Sequence, residues 1–86
     1  MAGERRGRIQ IVVDILTEAL NGSNKTRIMY RANLNFLRFE RYFSDLLEKG
    51  LMAEVNSPLG RVVYRTTDKG KRFLKIMQDA EDIFSS

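Results

Sequence analysis

Any chemistry in this chain of 86 residues must rest on its basic side chains. Arg38 and Arg41 stand three apart, Arg27 and Arg31 four apart, and Lys25 and Thr26 lead into the latter pair. At helical spacing each pair shares one face. A guanidinium is permanently charged and presents a planar fork of donors, which matches phosphate oxygens and the O6/N7 edge of guanine. Asn35 and Tyr42 border Arg38 and Arg41, and an asparagine amide pairs with adenine or with a phosphate. Arg61 stands between two strand-like runs, where it either reaches a backbone phosphate or minor groove or remains solvated.

Other chemistries lack their residues. The chain has no cysteine and no histidine. Disulfides, thiolate metal sites and a cysteine nucleophile are therefore excluded, together with the commonest general base and transition-metal ligand. Gly70-Lys71 is no phosphate loop, because no glycine stands five before Gly70 and Arg72 replaces the required Ser or Thr. Asp79, Glu81 and Asp82 cluster without a base or metal-ligand partner and read as a solvated face. No enzyme, cofactor or metal site is expected. With no long apolar run and no signal-peptide pattern, the expected location is the cytoplasm, on the nucleoid.

The formal charge of +4 is unevenly distributed. Residues 25–72 hold eleven basic and five acidic side chains, whereas residues 1–24 balance at three of each and residues 73–86 hold one basic and three acidic. A basic middle between neutral and acidic ends points to a polyanionic partner.

The elements that must position these side chains follow from apolar periodicity. One domain, 1–86, is expected to be α+β and mainly helical. A flexible arm, 1–7, precedes a first helix over 8–21. There Ile9, Val12, Val13, Leu16, Ala19 and Leu20 make one stripe, and Ile11 and Ile15 carry the apolar surface round to a second neighbour. After the Asn21-Gly22-Ser23-Asn24 turn, a short helix is predicted over 25–32, capped by Ser23 or Asn24, with Ile28, Met29 and Ala32 inward. Lys25 and Thr26 in its first turn suit a phosphate. The connection Asn33-Leu34 leads to a helix over 35–49, capped by Asn35 and closed by Gly50. Phe36, Phe39, Phe43, Leu46 and Leu47 share its inner face; Arg38, Arg41 and Asp45 lie opposite, with Tyr42 on the flank and Asp45 placed to pair with Arg41.

The period then changes to that of strands. The runs from Leu51 and from Arg61, separated by Asn56-Ser57-Pro58-Leu59-Gly60, predict a hairpin over 51–66. Thr67 caps a last helix over 68–84. In it Phe73, Ile76, Met77, Ala80, Ile83 and Phe84 recur at three- and four-residue steps. That stripe either forms a homodimer seam, helped by Ile11 and Ile15, or packs back on the first helix. Three helices followed by a hairpin make a winged helix-turn-helix, with the third as recognition helix and the fourth as dimerisation helix.

The chain also resembles a known family, the small archaeal winged-helix DNA-binding proteins of about ten kilodaltons that are associated with chromatin. The resemblance covers roughly residues 8–75. It rests on Thr26, Ile28, Met29, Tyr30, Ala32, Asn33 and Leu34, on the helix end Leu47, Gly50 and Leu51, and on Tyr64, Thr67 and Gly70 at the wing exit. It implies DNA binding and a dimer formed by an antiparallel coiled coil of C-terminal helices. The terminal helix here, about 17 residues, departs from the long coiled coil of that family.

The functional expectation is a dimeric protein on double-stranded DNA, a transcriptional regulator or chromatin-type architectural protein. Lys25, Thr26, Arg27 and Arg31 would hold phosphates, helped by Lys69 and Lys71. Asn35, Arg38, Arg41 and Tyr42 would face the major groove, with Arg61 on the wing. The rival is a winged-helix protein-interaction module without direct DNA contact, whose partner site would be the stripe near Ile83 and Phe84.

Overall fold

A computed structural model describes residues 6–86. Its order is α1 (Arg8–Glu18), α2 (Lys25–Ala32), α3 (Phe36–Glu48), β1 (Met52–Asn56), β2 (Val62–Thr66) and α4 (Asp68–Ser85). This is the mainly helical winged helix-turn-helix architecture expected from the sequence. The two strands are antiparallel, with Met52 opposite Thr66 and Asn56 opposite Val62.

Each helix boundary has a local cause. Asn24 caps α2 by accepting from the Arg27 backbone N–H at 2.8 Å, and Asn33 ends that helix in the left-handed region at φ 56°. Asn35 caps α3 in the same way, accepting from the Arg38 N–H at 2.8 Å. At the far end of α3, the Gly50 N–H donates to the Leu47 carbonyl at 3.1 Å and the Leu51 N–H to the Leu46 carbonyl at 2.9 Å. This paired closure requires a positive φ at Gly50, which is 76°.

The start of α4 is clipped onto this end of α3. Thr67 Oγ1 accepts from the Gly70 N–H at 3.1 Å and donates to the Gly50 carbonyl at 2.7 Å, while the Thr67 N–H donates to the Leu51 carbonyl at 3.1 Å. Lys69 Nζ donates to the Lys49 carbonyl at 2.8 Å, so a lysine assigned to phosphate from the sequence is engaged in capping α3.

The core draws on three helices and the hairpin: Ile11, Ile15, Leu16 and Ala19 from α1, Ile28 and Ala32 from α2, Phe39, Phe43 and Leu46 from α3, and Met52 from β1. Phe43 links the helices to the wing, its ring 5.1 Å from that of Phe39 and edge-on to Tyr64 at 4.7 Å. The wing is further tied by a backbone bridge between Ser23 and Tyr64, and by Thr66 Oγ1, which donates to the Leu16 carbonyl at 2.6 Å in the interior.

Three expectations are corrected by this packing. Ile11 and Ile15 lie in the centre of the monomer and are unavailable to a partner subunit. The helical span of α1 ends at Glu18, before the predicted limit of 21, because the Ala19 carbonyl accepts from the Gly22 and Thr66 N–H groups instead of extending the helix. Of the predicted arm, residues 1–5 lie outside the described residues, but Arg6 is held. Its guanidinium meets Asp14 at 2.7 Å and the Ala32 carbonyl at 2.6 Å, stapling the chain before α1 to the end of α2.

Gly70 is where α4 passes closest to the α3–β1 turn. A Cβ there would lie 2.2 Å from the Leu51 carbonyl oxygen and 2.6 Å from Thr66 Cγ2. Gly70→Ala should therefore destabilise the fold by about 1–3 kcal/mol despite the better helix propensity of alanine. A urea titration with an unchanged midpoint would contradict this packing.

Candidate nucleic-acid interface

The interface is built from the rotation of α3. Burial of Phe39, Phe43 and Leu46 turns the opposite side of the helix to solvent, where Leu37, Arg41, Ser44 and Glu48 follow one another at steps of four, three and four. Arg38 flanks this row and is also exposed. Among the described residues neither Arg38 nor Arg41 has an acidic partner within ion-pair distance. The pairing of Arg41 with Asp45 expected from the sequence is replaced by a pair between Asp45 and Lys49. A cleft of about 590 Å³ runs along this side, lined by Arg38, Arg41, Tyr42, Asp45, Glu48 and Lys49 of α3 and by Arg8 at the start of α1.

The remaining sequence-selected residues divide into committed and uncommitted groups. Lys25 Nζ lies 2.6 Å from Glu40 and 5.0 Å from the centroid of the Phe43 ring, bridging α2 to α3. Arg27 and Arg31 both reach Glu18 of α1, at 3.1 and 3.3 Å, yet most of each side chain remains exposed. One carboxylate between two guanidiniums leaves that corner with a net positive charge. Thr26 is exposed beside a hollow shared with Met29, Tyr30, Arg31, Asn33 and Leu34. Asn35 has its carbonyl oxygen occupied by the cap, leaving its amide N–H groups as donors. Tyr42 packs partly on the core and partly lines the cleft. Arg61 is exposed at the wing, its backbone N–H donating to Ser57 Oγ at 3.1 Å in the turn.

The structure thus brings Arg38, Arg41 and Tyr42 together on one surface, with Asn35 at its N-terminal end. Arg27 and Arg31 form a separate cluster against α1. Sequence reasoning missed Arg8, whose only signal was its position at the start of the first helix. It also missed two exposed apolar residues in the first turn of α3, Phe36 and Leu37. Phe36, expected on the inner face, lies outside because the core closes at Phe39.

On the last helix, the residues read as a dimer seam are not equivalent. Phe73 is half-buried against the core, accompanied by Leu74, and Met77 is also half-buried. Ile76, Ala80, Ile83 and Phe84 are exposed, Phe84 to 92%. Met77, Ala80 and Phe84 line an open groove of about 770 Å³ with Ile9, Val13 and Leu20 from the α1 side. No helix among the described residues is long and apolar enough to cross a membrane.

Comparison with known proteins settles the family. A winged helix-turn-helix family model matches residues 5–85. The chain belongs to that family. Its relatives include the uncharacterized protein MJ0290 of Methanocaldococcus jannaschii, 32% identical over 76 residues, 87% of this chain. The matched region spans only 34% of that relative's length. A second protein of the same organism, MJ0287, is 26% identical over 95% of this chain and 80% of its own. Among solved structures, Sso10a-2, a DNA-binding protein from Sulfolobus solfataricus, superposes with a TM-score of 0.69 at 26% identity, covering 93% of this chain and 87% of that one. The PcaV transcriptional regulator from Streptomyces coelicolor, in complex with its natural ligand, gives 0.62 at 27% identity over 87% of this chain and 55% of its own. The similarity to small archaeal winged-helix proteins, drawn from Thr26 through Gly70, holds.

The cap at Asn35 sets the N-terminal limit of the α3 surface. Asn35→Ala should cost about 1 kcal/mol, whereas Asn35→Ser, which keeps an acceptor oxygen, should cost a few tenths. Thermal denaturation of the two variants measures the difference; equal losses would deny the cap its role.

Proposed function

We propose that the chain is a DNA-binding protein, a transcriptional regulator or a chromatin-type architectural protein, which acts as a homodimer and inserts α3 into the major groove of duplex DNA. The observation that carries this reading is the exposure of Arg38 and Arg41 on α3, without acidic partners among the described residues, backed by a buried aromatic face. A helix of this diameter fits the major groove. Guanidiniums projecting from it reach guanine edges or phosphates. Arg8 adds a third cation across the cleft, and Arg61 places a fourth on the wing. The DNA-binding character of Sso10a-2 and the regulatory role of PcaV support the same reading. A protein so placed acts on the nucleoid.

In this arrangement Lys25 is chiefly an α2–α3 brace. Arg27, Arg31 and Thr26 remain near the duplex backbone, with Glu18 exchanged for phosphate as the partner of the two arginines. The homodimer reading rests on Ile76, Ile83 and Phe84, which leave the end of α4 apolar and uncovered. An apolar surface of this kind favours burial between two copies of the helix.

Two outcomes test the proposal. Replacing Arg38 and Arg41 together by alanine should reduce duplex affinity about tenfold or more and lower the slope of log affinity against log salt by roughly 1 for each lost phosphate contact. The melting temperature should stay close to that of the native chain, since both side chains are exposed. A titration showing unchanged affinity would remove α3 from the interface, and absence of duplex binding even at low salt would favour the protein-interaction module. For the assembly, Ile83→Glu with Phe84→Glu should shift the mass measured by light scattering from dimer to monomer; a monomeric native chain would refute the homodimer.

A further inference from the structure

The outermost row of α3 begins with a residue of the wrong polarity for a solvated face. Leu37 is 73% exposed, directly opposite Phe39 and Phe43, and its neighbours along and beside the row are Arg41, Ser44 and Arg38. Phe36, in the same first turn, is 60% exposed. Neither side chain contributes to the core; one turn on stand Arg41 and Glu40, and because the Glu40 carboxylate is paired with Lys25 at 2.6 Å, the uncompensated charge beside Leu37 is cationic and disfavours an apolar protein partner. A basic rim instead fits a polyanion that presents an apolar group between its phosphates. In the major groove that group is the C5-methyl of thymine.

We infer that Leu37 is a specificity-determining residue that reads thymine by apolar contact with its 5-methyl group, with Phe36 extending the apolar surface. The inference rests on the proposed insertion of α3 into the major groove. Residues at the N-terminal end of a recognition helix approach base edges most closely, and Leu37 lies one residue inside that end. Asn35 precedes it with its carbonyl oxygen already engaged by the Arg38 N–H, so the first turn offers fewer polar readers than its sequence implies. Arg38 and Arg41 hold the neighbouring phosphates or guanines, and Leu37, at the N-terminal end of the same surface, discriminates thymine from cytosine. Because the contact is with a methyl group, the preference is for thymine-bearing steps, independent of the shape of the minor groove.

Uracil separates this contact from all others, because it lacks only the methyl group. The full chain and the Leu37→Ala variant are titrated by fluorescence anisotropy against a long A·T-rich duplex and against the same duplex with uracil in place of every thymine. The native chain should lose about fourfold in affinity per methyl contact removed. Leu37→Ala, which keeps only Phe36 and a single methyl at the surface, should show a clearly smaller difference between the two duplexes and bind the thymine duplex more weakly than the native chain does. Equal native affinity for both duplexes, with salt-dependent binding retained, would overturn the role of Leu37 and leave the proposed function standing. A thymine preference that persists undiminished in Leu37→Ala would place the methyl contact elsewhere and equally overturn it. Failure of the native chain to bind either duplex would defeat both readings, leaving the row from Leu37 as a protein contact.

Discussion

The orientation of α3 about its own axis is the constraint from which the functional surface follows. An α-helix turns about 100° per residue, so fixing one side fixes every other. Phe39, Phe43 and Leu46 are buried, and Phe43 is pinned from the wing side by its T-shaped contact with Tyr64. Full burial of large apolar side chains stabilises by about 1.5–3 kcal/mol each, so a rotation exposing this face would cost more than the exposed ion pairs of the domain could return. Given that face, Leu37 and Arg41 have no alternative but to point outward. The two ends of α3 are held as well, by the Asn35 side chain at the start and by Gly50, Lys69 and Thr67 at the finish. The proposed role of α3 in reading bases would need such rigidity, because hydrogen bonds to base edges tolerate little misplacement.

Charge is managed differently on the two helices of the helix-turn-helix. On α2 every basic residue has a carboxylate nearby: Lys25 has Glu40, and Arg27 and Arg31 share Glu18. On α3 the acidic partner that the sequence offers Arg41 is taken by Lys49. Exposed ion pairs contribute between nothing and about 1 kcal/mol, so those on α2 are easily exchanged for phosphates. The surplus of positive charge in residues 25–72 is thus partly spread over exchangeable pairs and partly concentrated on Arg38 and Arg41. In the proposed DNA complex such a surface would be anchored by counterion release and positioned by its uncommitted arginines.

Much of the fold was legible because its signals are local. Asn24 and Asn35 announce helix starts, Asn33 and Gly50 require left-handed backbone, and the Pro58-Leu59-Gly60 turn separates two strand periods. The interface was less legible, since it depends on which of several apolar stripes the core uses. The helix α1 carries apolar residues on more than one side. The expected stripe of Ile9, Val12, Val13, Leu16, Ala19 and Leu20 enters the core only in part: Leu16 and Ala19 are buried, together with Ile11 and Ile15 from the other side, and Ile9 stays exposed. Phe36 was misplaced because hydrophobicity alone cannot say where along a helix the core stops. Leu37 escaped notice because a leucine among arginines on a wheel reads as noise until its exposure is known. Arg8 needed the tertiary approach of α1 to α3, and Arg6 the distance from Asp14 to Ala32. Neither is encoded in local spacing.

The terminal helix poses a separate physical problem. At 18 residues it spans about 27 Å, but the core supports only its first turns through Phe73 and Leu74. Isolated helices shorter than about 12–15 residues are marginal in water, and the unsupported end is shorter than that. Within it, Lys75 pairs with Asp79 and Gln78 with Asp82 at four-residue spacing. Each such pair contributes about 0.2–0.5 kcal/mol, too little to hold the end straight against fraying. The same end carries Ile83 and Phe84, which a solvent-facing helix would gain by replacing with polar residues. Polar replacement would add solubility at no cost to helix propensity, so these residues are unfavourable in an isolated monomer. In the proposed homodimer, cover by a second copy would remove the penalty, and the two short helical ends would stabilise each other by burying the apolar area that neither can bury alone.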